Sequence, residues 1–554
     1  MRIGIDVGGT HTDAVVIEKG RVVASAKVST DHHNLLLSVR GALEAVLAGV
    51  DPKEVSRLNL STTLSTNAIV EGKTEDVGVL VSAGPGVNPD DYQVGRFYYT
   101  VSGSVDHRGK EIAPPDPEEI GALVRDCCDT GLKVYAVVGK FSTRNPAHET
   151  LLAEELMACA DFVSQGHRLS GQLNFPRRIA TAYYNSAVWR VYNRFADAVE
   201  QCVREYGVYA PVHILKADGG TMPLAISREH PVESILSGPA ASVMGIIALC
   251  DIRQDSIILD IGGTTTDIAI FASGSPVIEN DGIEVGSYPT LVRALRTRSI
   301  GVGGDSRLHV QAGAVRVGPE RLGPCMACGG AQPTLIDALI YKGLAEFGDV
   351  QASKEGIRRL AALWDMFPDT LADEAIQTAV SSISRAVDEL LDEVNSRPVY
   401  TIMELIEGGT LAPAHVYVMG GPAKAFQGLL AKAMHRRVDV PPQHAIANAI
   451  GAALTRTTFE LELFADTEKG VRFIPTLGLR DTVTRQYVLK DAQQDAVTML
   501  LEHLGEQGVT LKADAVDILE ANSFNMVGDY GTVGRNIRVK CQIRPGVTEA
   551  FVHE

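Results

Sequence analysis

The chain has 554 residues, 45% of them hydrophobic and 21% charged, with a formal net charge of −17 at pH 7. Such a length calls for about two to four cores rather than one. The acid excess excludes a general binder of nucleic acid or anionic membrane, but not of a nucleotide, whose phosphates backbone N–H groups and a metal ion can hold inside an acidic protein.

The opening MRIGID has no basic segment leading into an apolar run, so no signal peptide is expected. No apolar stretch approaches the ~20 residues of a membrane span. The 8 cysteines (Cys127, Cys128, Cys159, Cys202, Cys250, Cys325, Cys328 and Cys541) are too scattered for a disulfide scaffold, and a reduced, cytoplasmic setting is expected.

Residues 2–8 and 21–28 read as strands, TTLSTNAIVEG as a short helix ending at Gly72, and DVGVLVSAG as a buried strand. Residues 85–130 are richer in Gly, Pro and Asp and read as an inserted subdomain. LKVYAVVGKFS is a strand, and Asn145-Pro146 opens the helix AHETLLAEELMA. A long amphipathic helix is predicted over 179–206, followed by the strand VHILKADGG and a Gly/Ala-rich helix within SGPAASVMGIIAL. The second half continues with a Gly-rich segment (301–332), helices at 354–396, the strand HVYVMGG, a helix from 423 and another at NAIGAAL. Strands then return, with one helix, DAQQDAVTMLLEHLGEQG. This alternation predicts an α/β fold divided as 1–245, 246–455 and a C-terminal subdomain 456–554.

One device occurs twice. IDVGGTHTDAVV at 5–16 and LDIGGTTTDIAI at 259–270 share 6 identities at fixed spacing. Each is an apolar strand ending in Asp, a Gly-Gly turn, then a second strand. Glycines let the chain reverse and a ligand approach the backbone. Exposed N–H groups in such turns suit phosphate oxygens, and Thr hydroxyls add donors. The first copy offers Gly8, Gly9, Thr10 and Thr12, and the second Gly262, Gly263, Thr264 and Thr266. Asp6 and Asp260, seconded by Asp13 and Asp267, are the candidate catalytic carboxylates. A carboxylate there holds Mg²⁺ through water beside a triphosphate, or positions a nucleophilic water. A single copy also reads as an ordinary β-hairpin; two copies suggest a clamp on a nucleotide between similar domains. VYVMGGPAKAF at 416–426 adds a strand–Gly420-Gly421–helix junction on which adenine and ribose can pack.

Together the three elements resemble the actin/Hsp70/sugar-kinase ATPase superfamily. STTLSTNAIVEGK, VDHRGKEIAPPD, LKADGGTMPLAISREHPVESILSGPAASVMG, SIGVGGDS and VPPQHAIANAIGAAL narrow the resemblance. In order over residues 3–455 the chain is similar to the ATP-binding subunit of the hydantoinase/oxoprolinase family. That resemblance implies duplicated ribonuclease-H-like domains, ATP and Mg²⁺ as cofactors with Asp6 and Asp260 organising the metal, and ATP-dependent opening of a cyclic amide. It also implies a second subunit as partner, a possible homo-oligomer, and no nucleic-acid or membrane partner. Gly301, Gly303, Gly304 and Ser306 match the family's Gly-rich loop near the cleft, with Asp305 replacing a Gly. Asn67, Gly219-Gly220 and Ser237-Gly238-Pro239 match cleft-lining positions. FPRRIATA departs from the family's usual stretch, and the C-terminal hundred residues are not its usual tail. Other classes the sequence leaves open are an ATPase switch that drives a partner, a small-molecule kinase and a ketone carboxylase subunit.

Among the remaining candidates, Arg177-Arg178 reads either as a bidentate carboxylate site or as a helix-surface pair. Cys325-x-x-Cys328 has metal or redox spacing without a companion motif. His11 lies in the first hairpin, either at a phosphate or as a plain turn residue, and His107, His309 and His444 read as solvated or core.

Overall fold

The structure, a computed structural model, describes every residue except 32, 280, 397–409, 529–530 and 553–554. Two sheets repeat one plan. In the first, the strands Arg2–Val7, His11–Glu18 and Arg21–Ser29 form an antiparallel meander. Arg57–Thr62 and then Val212–Leu215 add in parallel on the other side of Arg2–Val7. In the second, Ser256–Ile261 and Thr266–Ala272 form the antiparallel pair, and His415–Met419 and Arg437–Asp439 add in parallel. A strand directed into the next by a tight Gly-Gly turn can only pair antiparallel, whereas a partner reached through a helical crossover can pair parallel.

Alternation along the first strand of each sheet explains the packing. Ile3, Ile5 and Val7 face a core closed by the helices Leu35–Val46 and Phe175–Glu205. Gly4 and Asp6 face the opposite way, as period-two geometry requires. Against that face lies the helix Ala447–Leu454, so closely that a Cβ on Gly4 would sit 2.1 Å from the Ala449 carbonyl oxygen. In the second sheet Ile257, Leu259 and Ile261 face one core. Ile258 packs instead among residues of the helices Ser237–Leu249 and Ala447–Leu454. These two helices cross at Gly245 and Gly451, where a Cβ on Gly245 would meet the Ala447 carbonyl oxygen at 2.3 Å. Small residues therefore bring the two halves together at backbone distance, with the apolar cluster around Val243, Ile246 and Ile450 shared between them.

Residues 85–130 contribute the strand Phe97–Thr100 to a four-stranded, wholly parallel sheet, with Val77–Ser82, Val134–Gly139 and Phe162–Gln165. The segment set apart by composition is thus woven into a larger layer. The long helix begins at Phe175, four residues earlier than its periodicity suggests, because Asn174 caps the backbone N–H of Arg177 and Pro176 fits the first turn. Beyond residue 456 a five-stranded antiparallel sheet, in order 479–482, 471–474, 460–466, 531–543, 516–528, packs on the helix Leu489–Glu506. Ala492, Ala496, Leu500 and Leu504, at helical i+4 spacing, bury the stripe between them.

Two groups of residues sit differently from what their spacing suggests. Cys128 and Cys159, 31 residues apart, are disulfide-bonded, a single link that scattered spacing does not disclose. Arg177 and Arg178 form neither a surface pair nor a carboxylate site. Arg178 is fully buried, donating to Ser142 Oγ and to the carbonyls of Gly139 (3.0 Å) and Lys140 (2.6 Å), 3.7 Å from Glu149. Arg177 Nη1 is spent on the carbonyls of Asp281, Gly282 and Thr290 at 2.9–3.3 Å. No helix among the described residues is long and apolar enough to cross a membrane.

Candidate nucleotide site at two facing hairpins

The repeated hairpins adopt the same turn. The backbone N–H of Gly8 donates to the His11 carbonyl at 3.1 Å, and that of Gly262 to the Thr265 carbonyl at 2.9 Å. The registers pair Asp6 with Asp13 and Asp260 with Asp267, so each hairpin carries two carboxylates on one face at its tip. The hairpins meet tip to tip: Thr10 Oγ1 and Thr264 Oγ1 are 3.2 Å apart. A Cβ on Gly263 would lie 2.7 Å from Thr10 Oγ1, so glycine is required there for the approach.

The four carboxylates have different partners. Asp13 is neutralised by Lys27, whose Nζ donates at 2.7 Å. Asp260 accepts from Ser242 Oγ at 2.6 Å and from Asn448 Nδ2 at 2.9 Å, one donor from each crossing helix. Asp267 accepts from Ser299 Oγ, yet burial and the Asp260 charge push it up to about 7. Asp6 is buried, and its Oδ1 has no hydrogen-bond partner. Burial drives its pKa to about 7; Ser61 and Asn448 pull it down while Asp13 and Asp260 push it further up. An orphaned buried carboxylate oxygen that feels the charges of both Asp13 and Asp260 fits a cation. Among the described residues no three His, Cys, Asp or Glu side chains assemble into a metal cage. A Mg²⁺ here would complete its shell from water and phosphate oxygens, as this ion ordinarily does.

The glycines predicted to contact a nucleotide divide by position. Gly303 and Gly304 lie beneath the second hairpin: Gly304 N–H donates to the Gly262 carbonyl at 2.9 Å and Asp305 N–H to that of Gly263 at 2.7 Å. Gly420 has φ +93°, and a Cβ there would lie 2.2 Å from the Ile261 carbonyl oxygen and 2.8 Å from Asp260 Oδ1. The Gly420-Gly421 turn therefore abuts the second carboxylate. Gly421 beside it faces open space. Thr12 and Thr266 are buried with their hydroxyls engaged, Thr12 with Thr30 Oγ1 at 3.0 Å and Thr266 with the Val302 carbonyl at 2.7 Å. Of the four threonines, Thr10 and Thr264 are the pair at the tips.

Sequence reasoning missed Ser61, Ser242 and Asn448. For Asn448 the local hint was the single polar side chain in the helix Ala447–Leu454, but nothing local ties it to Asp260. His11 is exposed at the first tip. Cys325 is buried and Cys328 exposed, bracketing a short turn. A cavity of about 640 Å³ opens elsewhere, between the turn at Lys216–Asp218 and the C-terminal sheet, and no hairpin residue lines it.

Two sheets of matching order, each opening on a Gly-Gly hairpin and joined by crossing helices, define an actin-like ATPase fold of duplicated ribonuclease-H-like domains. The chain belongs to the hydantoinase/oxoprolinase family: the profile "Hydantoinase/oxoprolinase" matches residues 178–461 and "Hydantoinase/oxoprolinase N-terminal region" matches 2–158. The family comprises ATP-dependent hydrolases and carboxylases. Among its relatives, caprolactamase subunit alpha of Pseudomonas jessenii is 25% identical over 580 residues, covering 98% of this chain and 78% of that one. A nucleotide-free acetone carboxylase structure superposes with a TM-score of 0.69 at 17% identity, covering 99% of this chain and 88% of that one. The crystal structure of the P. jessenii ATP-dependent caprolactamase gives 0.67 at 20% identity, with coverage of 98% and 87%.

Proposed function

We propose that this chain is the ATP-binding subunit of an enzyme that opens a cyclic amide, acting with a second subunit that completes the reaction. The observation that carries the reading is the meeting of two Gly-Gly-Thr hairpins, Thr10 to Thr264, over an acidic centre with an unpartnered Asp6 oxygen. Turn N–H groups and the Thr10 and Thr264 hydroxyls supply donors for phosphate oxygens. Asp6 and Asp260 would hold Mg²⁺, Asp260 kept in place by Ser242 and Asn448. Gly421, which faces open space next to Gly420, would leave room for a nucleoside beside that carboxylate. When bound, ATP supplies a phosphoryl group that activates an amide oxygen, turning a poor electrophile into a good one. The protein's part is to hold the phosphates, keep the carboxylates in position and exclude water as its halves close.

The substrate class draws its support from family membership and from the likeness to a caprolactamase subunit. Purified full chain, alone and with any co-purifying partner, is assayed for ATP hydrolysis with a panel of lactams, hydantoins and ketones. The reading expects stimulation by a cyclic amide in the presence of the partner. Stimulation by ketones alone would move the function to carboxylation, and no stimulation by any of them would overturn it.

A further inference from the structure

The hairpin centre is rich in acids, and most of its cations are already committed. Lys27 is paired with Asp13. Among the described residues, Arg321 brings a guanidinium to this centre through Asp305. Arg321 is anchored by a single contact, Nε to Asp305 Oδ2 at 3.2 Å. Its two terminal nitrogens have no hydrogen-bond partner among the described residues and are not among the buried atoms left unpaired, so the open end of the fork reaches accessible space. Its place is set by Asp305. The Asp305 backbone N–H donates to the Gly263 carbonyl, and its Oδ2 lies 3.0 Å from the point a Gly263 Cβ would occupy. Thr10 Oγ1 lies 2.7 Å from that same point. Arg321 is therefore held at the junction of both hairpins, where the end of a phosphate chain gripped by their turns would lie. A guanidinium held through Nε keeps its two terminal nitrogens for one oxyanion, the geometry that distinguishes arginine from lysine.

We propose that Arg321, positioned by Asp305, is the group that recognises the terminal phosphate of the nucleoside triphosphate at this site. The proposal rests on the nucleotide reading above and assigns a residue that neither hairpin motif contains. ATP then gains a contact that ADP does not. Asp305 never touches the ligand; it aims the guanidinium.

The test is calorimetric titration of the full-length chain with ATP and with ADP, each with Mg²⁺. The variants are Arg321→Ala, Arg321→Lys and Asp305→Ala, with circular dichroism to verify folding. Losing a charge-assisted contact to a phosphate should weaken ATP binding by about 10- to 100-fold. ADP binding should shift by no more than about 3-fold, within the small effect of an unengaged surface charge. Arg321→Lys should not restore the preference for ATP. Asp305→Ala should erode it as well, although removal of a negative charge alone would favour the more highly charged ligand. An unchanged ratio of ATP to ADP affinity in Arg321→Ala would overturn the inference while leaving the site intact. Failure of the wild-type chain to bind either nucleotide would instead overturn the nucleotide reading on which it rests.

Discussion

Asp6 shows how a single residue reports on the site. Its carboxyl is pushed up to about 7 by burial, whereas in the unfolded chain it ionises near 4. Between those values the folded state binds the extra proton, so this group's contribution to stability falls as pH rises from about 4 to about 7 and is flat beyond. Asp6→Asn removes the titration. Its melting temperature should match wild type near pH 4 and exceed it at pH 8, by at most about 4 kcal/mol of stability at ~1.4 kcal/mol per pKa unit. A variant less stable than wild type at pH 8 would show that Asp6 is held as a satisfied structural carboxylate. Asp260 differs, because Ser242 and Asn448 both donate to it. Ser242→Ala and Asn448→Ala each leave it with one donor fewer, at about 1–3 kcal/mol. Each should weaken Mg-dependent ATP binding without touching the nucleotide. Equal affinities across wild type and both variants would remove Asp260 from the metal centre.

At the scale of elements, the crossing of Ser237–Leu249 and Ala447–Leu454 decides where Ser242 and Asn448 point. Gly245 lies inside the first helix, where propensity alone favours alanine by about 1 kcal/mol. Packing argues the reverse, since a Cβ would lie 2.3 Å from the Ala447 carbonyl oxygen, and overpacking costs about 1–3 kcal/mol. The steric clash outweighs the propensity gain: Gly245→Ala should lower the melting temperature and displace the Asp260 donors, reducing nucleotide affinity in step. A rise in melting temperature would mean the helices separate easily. The hairpins themselves were legible in the sequence, because a strand ending in Asp and a Gly-Gly turn are local features repeated at fixed spacing. The donors to Asp260 were not legible, because they arrive from helices 18 and 188 residues away. Arg178 misled for a similar reason: helical periodicity cannot reveal that Gly139, Lys140 and Glu149 wait in the core to receive it.

For the whole molecule, the duplicated order of the two sheets followed from one repeated motif, and the alternation of strands and helices gave the class. The four-stranded parallel sheet that absorbs residues 85–130 did not follow, since short strands such as Phe97–Thr100 carry little periodicity and gain their place from neighbours. Substitutions in that sheet should leave nucleotide binding intact unless they unfold the chain, because the hairpins and both crossing helices lie outside it. Whether the two hairpins together hold Mg-ATP is decided by calorimetry of the full wild-type chain against Gly263→Val. A side chain at Gly263 meets Thr10 Oγ1 and Asp305 Oδ2 at 2.7 and 3.0 Å and forces the tips apart. Wild type should show one ATP site per chain, abolished by chelating Mg²⁺ and lost in the folded variant. Wild-type affinity retained in Gly263→Val, or ATP binding indifferent to Mg²⁺, would contradict a joint hold on Mg-ATP.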